Sequence, residues 1–419
     1  MRDFGRSDDP RVQAQLDRLG ALTVPQGRLG LETIRALLER LGNPHRSLPP
    51  VFHVAGTNGK GSTCAFLRAM LEADGKRVHV TTSPHLVRYN ERIRLAGELI
   101  SDEALADVLE EVLDKGSDLN PSFFEVTITA AFLAFSRTPA DACVVEVGLG
   151  GRFDATNVLE PDVLAACGIA ALGIDHERFL LAPENGVPAD PMARIAFEKA
   201  GIAKAGVPLV VMAQQYSQAV LRQLRKSAND AGASLEEMQV GEELELGTVP
   251  PILRGEHQLQ NAALAAAMIR AQKAVAVSAE AVKAGVKSAQ WPARMQRLAS
   301  GPLIGTSEVW LDGGHNRSAG EALAAEFEGQ QIHLVIGMLD AKDPAAVLEP
   351  LAGSIHSITA VPIDGYDCHP ASAFGPNARA AESVEEALLC VSSNDYPILI
   401  AGSLYLAGEV LRANDEIPD

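Results

Sequence analysis

The sequence has few cysteines, and no two of them show the C-x-x-C spacing of a zinc or redox motif. Most stand in apolar stretches typical of strands or helices, where a free thiol behaves as a small apolar side chain. We therefore predict that they are reduced residues of the core. The five are Cys64, Cys143, Cys167, Cys368 and Cys390.

Basic residues are also scarce relative to acidic ones. The chain has 36 Lys and Arg against 54 Asp and Glu, which gives a formal net charge of −18. General nucleic-acid binders and membrane-surface proteins need a basic face, so the composition argues against both classes. It leaves open a local basic pocket for an anionic substrate.

Long apolar segments are missing as well. The first ten residues, MRDFGRSDDP, lack the apolar region of a secretory signal, and no segment approaches the length of a transmembrane span. We find no internal repeat and no low-complexity segment. The sequence therefore predicts a cytoplasmic, soluble and monomeric protein, and its 419 residues are enough for two or three domains.

The first two thirds of the chain alternate between apolar runs typical of buried parallel strands and patterns typical of helices. This order predicts a doubly wound α/β domain. The predicted strands are 51–56, 77–83, 142–148, 163–170 and 208–213, with a short β excursion near 235–253. The predicted helices are 60–73, 102–114 with Ser101 as N-cap, 123–135, and two that start near His257 and Ser278.

The same alternation resumes from about residue 299. Predicted strands at 308–312, 332–337, 355–361 and 397–402 indicate a second, smaller α/β domain. Helical patterning stops in the segment 291–300. We therefore predict an ATP-binding domain over residues 1–296 and a C-terminal domain over residues 297–419.

The segment HVAGTNGKGST, residues 53–63, follows a predicted strand and opens a predicted helix. That is the context of a phosphate-binding loop, although the spacing differs from G-x-x-x-x-G-K-[ST]. Its glycines allow backbone N–H groups to approach phosphate oxygens, and the helix N-terminus adds partial positive charge. Lys60 can reach the terminal phosphates. The alternative is an ordinary strand–helix turn with a solvent-exposed lysine.

Further polar residues stand at the carboxyl ends of predicted strands, where ligands bind in open α/β sheets. Glu146 lies in the buried-looking strand VVEVG, and a buried carboxylate is costly unless it is paired or bound to a metal. His176 and Ser83 follow two other strands. These three side chains, with phosphate oxygens, would suit Mg²⁺. The alternatives are a structural salt bridge for Glu146 and a structural role for His176.

Ten segments in the order of the chain resemble the folylpolyglutamate synthase/dihydrofolate synthase family, and the glycine loop resembles the wider Mur ligase superfamily. They are HVAGTNGKGST, TTSPHLVRYNERIRLAGELIS, SFFEVTITAAFLAF, VVEVGLGGRFDATNV, GIDHERFL, IAFEKAGIAKAGVP, LRGEHQLQNAALAA, WPARMQRL, LDGGHN and GSLYLAGEVL. The resemblance implies a P-loop-type ATPase domain, like the central domain of Mur ligases, joined to a smaller Rossmann-like domain.

The resemblance also implies roles for individual residues. Those that would hold ATP are Asn58, Gly59, Lys60, Gly61, Ser62, Asn261, Arg294 and Asp312. Ser83, Glu146 and His176 would bind Mg²⁺, and Lys199 would be carbamylated to N6-carboxylysine and hold a second ion. Lys60, His176, Lys199, Arg294 and His315 would be the catalytic set. The pterin side would be lined by Ser122, Phe123, Phe124, Glu125, Phe153, Asp154 and Ala155.

The implied reaction is the addition of L-glutamate to dihydropteroate or to a reduced folate. ATP would convert the acceptor carboxylate to an acyl phosphate, which the glutamate amine then attacks. Three alternatives remain open: a Mur-type ligase acting on a peptidoglycan precursor, a small-molecule phosphotransferase, and a nucleotide-binding module without catalysis. SFFE and RFDATN argue against the first, because they belong to the folate branch.

The sequence departs from the family pattern in three places. The connection LAPENGVPADPMAR between Leu180 and Ile195 is longer than usual. Ala293 in WPARMQ stands where glycine is common, and Gly314 in LDGGHN stands where alanine is common. The last two changes leave the predicted functional side chains in place.

Overall fold

The computed structural model describes residues 5–22, 30–212, 216–238, 253–305, 307–391 and 396–419. Within them the chain forms two compact units. Unit 1 comprises Met1–Val249 and Gln258–Ala289, and unit 2 comprises Pro250–His257 and Gln290–Asp419. The domain boundary after residue 296, which the sequence predicts, stays a prediction.

Unit 1 is built on an eight-stranded sheet. In chain order its strands are β1 (Val51–Ala55), β2 (Val78–Thr81), β3 (Ile93–Leu95), β4 (Glu98–Leu99), β5 (Ala142–Glu146), β6 (Leu164–Ile169), β7 (Pro208–Met212) and β8 (Ser234–Met238). Their order in the sheet is β4-β3-β2-β5-β1-β6-β7-β8. The strands from β2 to β8 in this order pair in parallel, whereas β3 and β4 form an antiparallel edge.

The helices of unit 1 precede, connect or follow these strands along the chain. They are α1 (Pro10–Gly20), α2 (Glu32–Arg40), α3 (Lys60–Ala73), α4 (Asp102–Lys115), α5 (Phe123–Arg137), α6 (Glu177–Leu180), α7 (Pro191–Ala200), α8 (Gln218–Ala231), α9 (Glu256–Ala271), whose first two residues belong to unit 2, and α10 (Ala279–Ser288). Ser101 caps α4 by accepting a backbone N–H group, as the sequence predicts, and Ser278 caps α10 in the same way.

Helices pack on both faces of this sheet because side chains on a strand alternate between faces. Val51 and Ala55 of β1 lie in a core cluster with residues of α1, α2, α4 and α5. On β6, Gly168 leaves room for Met268 of α9, which would clash with a side chain there. The predicted doubly wound arrangement is therefore confirmed.

One predicted element differs from the structure. The predicted β excursion near 235–253 begins at Ser234 and forms the edge strand β8, parallel to β7. Its polar residues are tolerated because an edge strand has one unpaired side. Residues 239–252 of that prediction lie outside the described part of the chain.

Unit 2 has a six-stranded sheet. Its strands are β9 (Gln296–Arg297), β10 (Val309–Leu311), β11 (Ile332–Ile336), β12 (Ile355–Ala360), β13 (Arg379–Ala380) and β14 (Ile398–Ala401), in the order β13-β12-β11-β14-β10-β9. Only the β9–β10 pairing among them is antiparallel. The helices are α11 (Arg317–Glu326), α12 (Ala345–Leu351), α13 (Val384–Cys390) and α14 (Leu404–Ala413). The predicted second α/β unit is thus present.

The cysteines are all free, in agreement with the predicted absence of disulfides. Cys64, Cys143 and Cys167 are buried, and burial raises the pKa of each thiol. Cys368 is half-buried and Cys390 is exposed, so the prediction of a core position is wrong for Cys390. Its segment is an amphipathic helix end whose cysteine falls on the solvent side.

No helix in the described ranges is long and apolar enough to cross a membrane.

Candidate active site

Four adjacent parallel strands of unit 1 end at the same edge, in the order β2-β5-β1-β6. The glycine loop follows β1, Ser83 follows β2, Glu146 is the last residue of β5, and His176 comes after β6. Parallel strands share their carboxyl ends at one edge, and the order of the strands reverses beside β1, which is where such sheets bind ligands. The predicted nucleotide and metal residues of unit 1 therefore share one edge.

The glycine loop is held against the segment that follows β6. The N–H groups of Thr57 and Asn58 donate to the Ala171 carbonyl over 2.8 and 3.1 Å, and the Thr57 hydroxyl donates to the Gly173 carbonyl over 2.8 Å. Gly56 lies so close to Ala170 that a Cβ at residue 56 would be 2.9 Å from its methyl group. These contacts fix the loop before any ligand binds.

Gly59 and Lys60 form the turn into α3. Gly59 has a φ of +80°, a left-handed conformation that favours glycine, and a Cβ there would clash with the Asn261 side chain of α9. Asn261 is buried and donates to Gln258 Oε1 over 3.1 Å. Lys60 Nζ donates to the Thr57 carbonyl over 3.2 Å. The structure thus brings Asn261 to the glycine loop from about two hundred residues away.

Ser83 and Glu146 are in direct contact. Glu146 is 4% exposed, and its Oε2 accepts the Ser83 backbone N–H over 3.0 Å. His176 adopts a left-handed φ of +53° at the start of α6, and its backbone N–H donates to Asp175 Oδ1 over 2.7 Å. Across the described ranges, no group of three His, Cys, Asp or Glu side chains is placed to hold a metal ion. A metal site here therefore depends on hydroxyl, phosphate or water oxygens as well.

Lys199 lies beside the glycine loop. It is 4% exposed, and its Nζ donates to the Gly56 carbonyl over 2.9 Å. Burial lowers the pKa of Lys199, and the positive charge of Lys60 adds to this effect. Asp175 and other nearby carboxylates oppose both, and the resulting pKa is about 7. A lysine with this pKa is largely neutral at slightly alkaline pH. From the residue pattern alone Lys199 was an ordinary helical lysine, since burial cannot be read from the spacing of α7.

The predicted pterin side consists of the start of α5 and the loop of residues 148–157. Ser122 and Glu125 form a capping box at the start of α5: Ser122 Oγ accepts from the Glu125 N–H, and Glu125 Oε2 accepts from the Ser122 N–H. The Phe124 ring packs where a side chain at Gly148 would otherwise lie. Phe123 is partly buried against the main core.

The loop of residues 148–157 is organised around Asp154. This buried carboxylate accepts the Leu149 N–H over 2.8 Å, and both the N–H and the hydroxyl of Thr156 over 3.0 and 2.5 Å. Burial raises the pKa of Asp154. Ala155 is buried, and the Phe153 ring lies under the Arg152 guanidinium. Asp154 and Ala155 thus shape the loop; their predicted contacts with substrate stay predictions.

The predicted residues of unit 2 form a separate cluster. Asp312, at the end of β10, accepts the Met295 N–H over 2.8 Å and the Gly314 N–H over 2.7 Å. Arg294 Nη1 donates to the Ala293 carbonyl over 2.8 Å, and His315 Nδ1 lies 3.0 Å from the Gly313 carbonyl. Ala293 has a φ of +55°, a left-handed conformation that favours glycine.

His257 was not among the predicted residues, yet it belongs to this cluster. Its pKa is lowered chiefly by burial, and the charges of Asp312 and Arg294 act on it in opposite directions. The segment RGEHQ gives no spacing that would connect His257 to residues near 294 and 312. Only the fold reveals that neighbourhood.

The fold and the glycine loop define a nucleotide-dependent enzyme built from two α/β units. No protein-family model matches the chain. It is 33% identical over 425 residues to the dihydrofolate synthase/folylpolyglutamate synthase of Bacillus subtilis, an alignment that covers 91% of this chain and 94% of that protein.

Solved structures give the same result. The chain is similar to Escherichia coli FolC in complex with ADP, with 29% identity, a TM-score of 0.82, and coverage of 96% of this chain and 97% of that one. It is also similar to a bifunctional folylpolyglutamate synthase/dihydrofolate synthase with Mn, AMPPNP and L-glutamate bound, with 29% identity, a TM-score of 0.81, and coverage of 98% and 99%. The chain therefore belongs to the dihydrofolate synthase/folylpolyglutamate synthase family, and both the predicted family and the predicted fold class are confirmed.

Proposed function

We propose that this enzyme uses ATP to join L-glutamate to dihydropteroate, giving dihydrofolate, or to reduced folates, giving folylpolyglutamates, with release of ADP and phosphate. The observation that carries the proposal is the likeness to dihydrofolate synthase/folylpolyglutamate synthase over more than nine tenths of both chains. It includes both units, so it does not rest on the glycine loop alone. The oligomeric state and the cytoplasmic location predicted from the sequence stay predictions.

The glycine loop and α3 bind the phosphates of ATP in this proposal. Residues 58–62 present backbone N–H groups at a helix N-terminus, and Lys60 supplies a positive charge to the γ-phosphate. Asn261 supports the loop through its contact at Gly59. A reaction at phosphorus needs mainly positioning and charge neutralisation, and these residues supply both.

Ser83, Glu146 and His176 are the proposed ligands of a divalent cation. The contact between Ser83 and the buried Glu146 carboxylate fits a hard cation, because such ions prefer oxygen donors and keep several waters. When bound, the ion would neutralise negative charge on the phosphate oxygens. We propose Mg²⁺ as the physiological ion; the relative with L-glutamate holds Mn.

Lys199 is the proposed site of carbamylation. Its burial, its pKa of about 7 and its contact with the Gly56 carbonyl place a neutral amine beside the phosphate loop. The nitrogen of that neutral amine attacks carbon dioxide and releases a proton to water, which gives a carbamate anion where an ammonium cation could otherwise stand. The carbamate would be a ligand for a second Mg²⁺.

The proposed reaction proceeds through an acyl phosphate. The acceptor carboxylate attacks the γ-phosphorus of ATP and ADP leaves; the amino group of glutamate then attacks the acyl carbon, and phosphate leaves with its bonding electrons. Lys60 stabilises charge on the transferred phosphoryl group. In unit 2, Arg294 neutralises phosphate charge, Asp312 contacts the nucleotide, and His315 completes the proposed catalytic set.

A coupled assay of ADP release tests the proposal. We expect ADP only when ATP, L-glutamate and either dihydropteroate or a reduced folate are all present, and comparing the two acceptors shows which activity the enzyme has. A phosphotransferase would release ADP without glutamate, and that result would overturn the proposal.

Lys60→Ala tests the proposed role of Lys60 at the γ-phosphate. We expect kcat to fall by about 10²-fold or more, by analogy with the loss of one oxyanion-type donor. Lys283→Ala, which removes an exposed lysine of α10, is the control and should keep the wild-type rate. A Lys60→Ala enzyme within a few-fold of wild type would show that Lys60 does not serve the γ-phosphate.

A further inference from the structure

The long connection before α7 carries a buried charge cluster. Residues 181–190 precede the helix, and Asp190 caps it by accepting the Ala193 N–H over 2.8 Å. Glu184 lies in the middle of this connection, with its side chain only 19% exposed. The neighbouring Asn185 is exposed, so Glu184 is turned inwards while the segment around it faces solvent.

Glu184 binds two arginines. Arg152 donates to both of its oxygens, from Nη1 to Oε1 over 3.1 Å and from Nη2 to Oε2 over 2.6 Å. Arg194 Nη2 donates to Oε2 over 2.8 Å. Such bidentate pairs fix the orientation of both partners, because two parallel bonds constrain the guanidinium plane.

Glu198 completes the cluster on α7. It accepts from Arg152 Nε over 3.1 Å and from Arg152 Nη2 over 2.8 Å, and it lies 2.9 Å from Arg194 Nε. Two arginines and two glutamates therefore balance one another. The side chains of Arg194 and Glu198 are both 6% exposed, so screening by water is weak and the balance matters.

The cluster connects the predicted pterin-side loop to the segment of α7 that carries Lys199. Arg152 belongs to the loop that carries Phe153 and Asp154, and its guanidinium lies 4.3 Å from the centre of the Phe153 ring. Glu198 is adjacent in sequence to Lys199. The backbone is tightly packed at this junction, because a Cβ at Gly151 would be 2.9 Å from the carbonyl oxygens of both residues.

Without Glu184, two guanidinium groups would share the single carboxylate of Glu198. A buried group that loses its partner is costly, so the arginines would move apart or towards water. The backbone of Arg152 is held by its N–H bond to the Glu198 carbonyl over 2.8 Å, so the group that moves is its guanidinium, whereas the side chain of Arg194 is buried on α7. A displaced Arg152 would withdraw support from the Phe153 ring.

We propose that Glu184 is a positioning residue for the pterin substrate: it holds Arg152 in place, and through Arg152 it fixes the Phe153 loop against α7. This inference rests on the proposed function, since it takes Phe153 to line the pterin side. It assigns a role to the long connection between α6 and α7, which supplies Glu184.

The test is a comparison of Glu184→Gln with wild type. Initial rates are measured with dihydropteroate varied at saturating ATP and glutamate, then with ATP varied, and the dissociation constant of dihydropteroate is measured by calorimetry. We expect about a tenfold rise in the KM and Kd for dihydropteroate, because small displacements of a positioning group weaken productive binding. The KM for ATP should change less than about twofold, as expected for a pterin-side effect.

Two further variants make the result specific. Glu280→Gln removes an equal charge from an exposed position of α10 and should match wild type. Glu184→Asp keeps the charge on a shorter side chain and should recover part of the lost affinity. Unchanged dihydropteroate binding in Glu184→Gln, or an equal rise in the KM for ATP and for dihydropteroate, would overturn the inference.

If Glu184→Gln does not fold, Glu184→Asp decides. A rise in the KM for dihydropteroate alone supports the positioning role, and wild-type constants overturn it. Failure of the proposed function has a different outcome, because the wild-type enzyme itself would then form no glutamate-dependent product.

Discussion

At the scale of single residues, burial determines what the ionisable groups of unit 1 can do. Lys199, Glu146 and Asp154 are all less than 5% exposed, yet each has a hydrogen-bond partner in the loops at the sheet edge. Charged groups in such surroundings are costly unless they are paired or bound to an ion. Their concentration beside the phosphate loop is therefore typical of a functional site.

The proposed carbamylation of Lys199 can be tested directly. Because the pKa of Lys199 is lowered to about 7, the neutral amine predominates at pH 8 and is lost as the pH falls below 7. We expect a carbamate carbon signal in NMR spectra of the enzyme with ¹³C-bicarbonate at pH 8, weaker at pH 6. Lys199→Ala should lack the signal and most of the activity.

Lys204→Ala is the matched control for this experiment. Lys204 is a partly buried lysine near α7 whose pKa is also lowered by burial, and it donates to the Asn157 carbonyl over 3.3 Å. The signal should persist in this variant. A spectrum without any carbamate at pH 8, together with a fully active Lys199→Ala enzyme, would contradict the assignment.

His53 contributes to the acid sensitivity of the fold. It is fully buried on β1 beside the Thr156 hydroxyl at 2.8 Å, and burial lowers its pKa to about 3. The unfolded chain binds a proton below its ordinary pKa of about 6.5 while the folded chain does not, so stability is present above that pH and is lost as the pH falls towards 3. We expect His53 to account for about 2 to 3 kcal/mol of the loss in unfolding free energy between pH 7 and 4.5.

Urea titrations at pH 7 and pH 4.5 measure the contribution of His53 to the unfolding free energy. The drop in unfolding free energy should be smaller in His53→Gln than in wild type, whatever the change at pH 7. His356→Gln, at an exposed position of β12, should show the wild-type drop. An identical drop in His53→Gln would mean that His53 does not govern the acid sensitivity.

At the scale of elements, the glycine loop combines two requirements at Gly59. The left-handed φ of +80° disfavours any other residue, and the Asn261 side chain occupies the space that a Cβ would need. Gly206, between α7 and β7, shares the first requirement, with a φ of +74°, but has open space around it. Comparing substitutions at Gly59 and Gly206 therefore separates the effect of backbone strain from the effect of crowding by Asn261.

We expect Gly59→Ala to lower kcat/KM for ATP by at least about tenfold, because Asn261 and the loop must both shift. Gly206→Ala should lose only about 1 kcal/mol of stability through the strained backbone and keep its activity. Thermal unfolding and initial rates of the two variants measure both effects. Equal activity in the two variants would show that the loop tolerates the crowding.

At the scale of the whole molecule, the proposed nucleotide contacts come from both compact units. The glycine loop and Asn261 belong to unit 1, and Arg294 and Asp312 belong to unit 2. In unit 2 the left-handed Ala293 and the hydrogen bond from Met295 to Asp312 fix the backbone on both sides of Arg294. Because the backbone on both sides of Arg294 is fixed, we expect its guanidinium to bind a ligand rather than to move freely in solvent.

Arg294→Ala tests the contribution of unit 2 to nucleotide binding. We expect the Kd for ADP, measured by calorimetry, to rise about tenfold, which corresponds to the loss of one charge-assisted contact of about 1.4 kcal/mol. Arg297→Ala removes an exposed arginine of β9, three residues away, and should leave the Kd unchanged. Equal affinities in the two variants would exclude Arg294 from the nucleotide site.

The sequence by itself determined the elements and the chemistry that lies in contiguous segments. The apolar run of β1, the helical spacing of α3 and the cap at Ser101 are local patterns, so each could be predicted within a few residues. The glycine loop was likewise recognisable because its function depends on neighbouring backbone groups. Helices α1 and α2 were not predicted, although both carry apolar residues at helical spacing.

Only the tertiary structure decided which distant residues meet. Lys199 reaches the carbonyl of Gly56, Asn261 reaches Gly59, and Glu184 joins Arg152 to α7, each pair brought together by the packing of elements far apart in the chain. The physical reason is that hydrophobic periodicity specifies which face of an element is buried but not which element covers it. Burial, and with it the low pKa of Lys199, follows from that choice of partners.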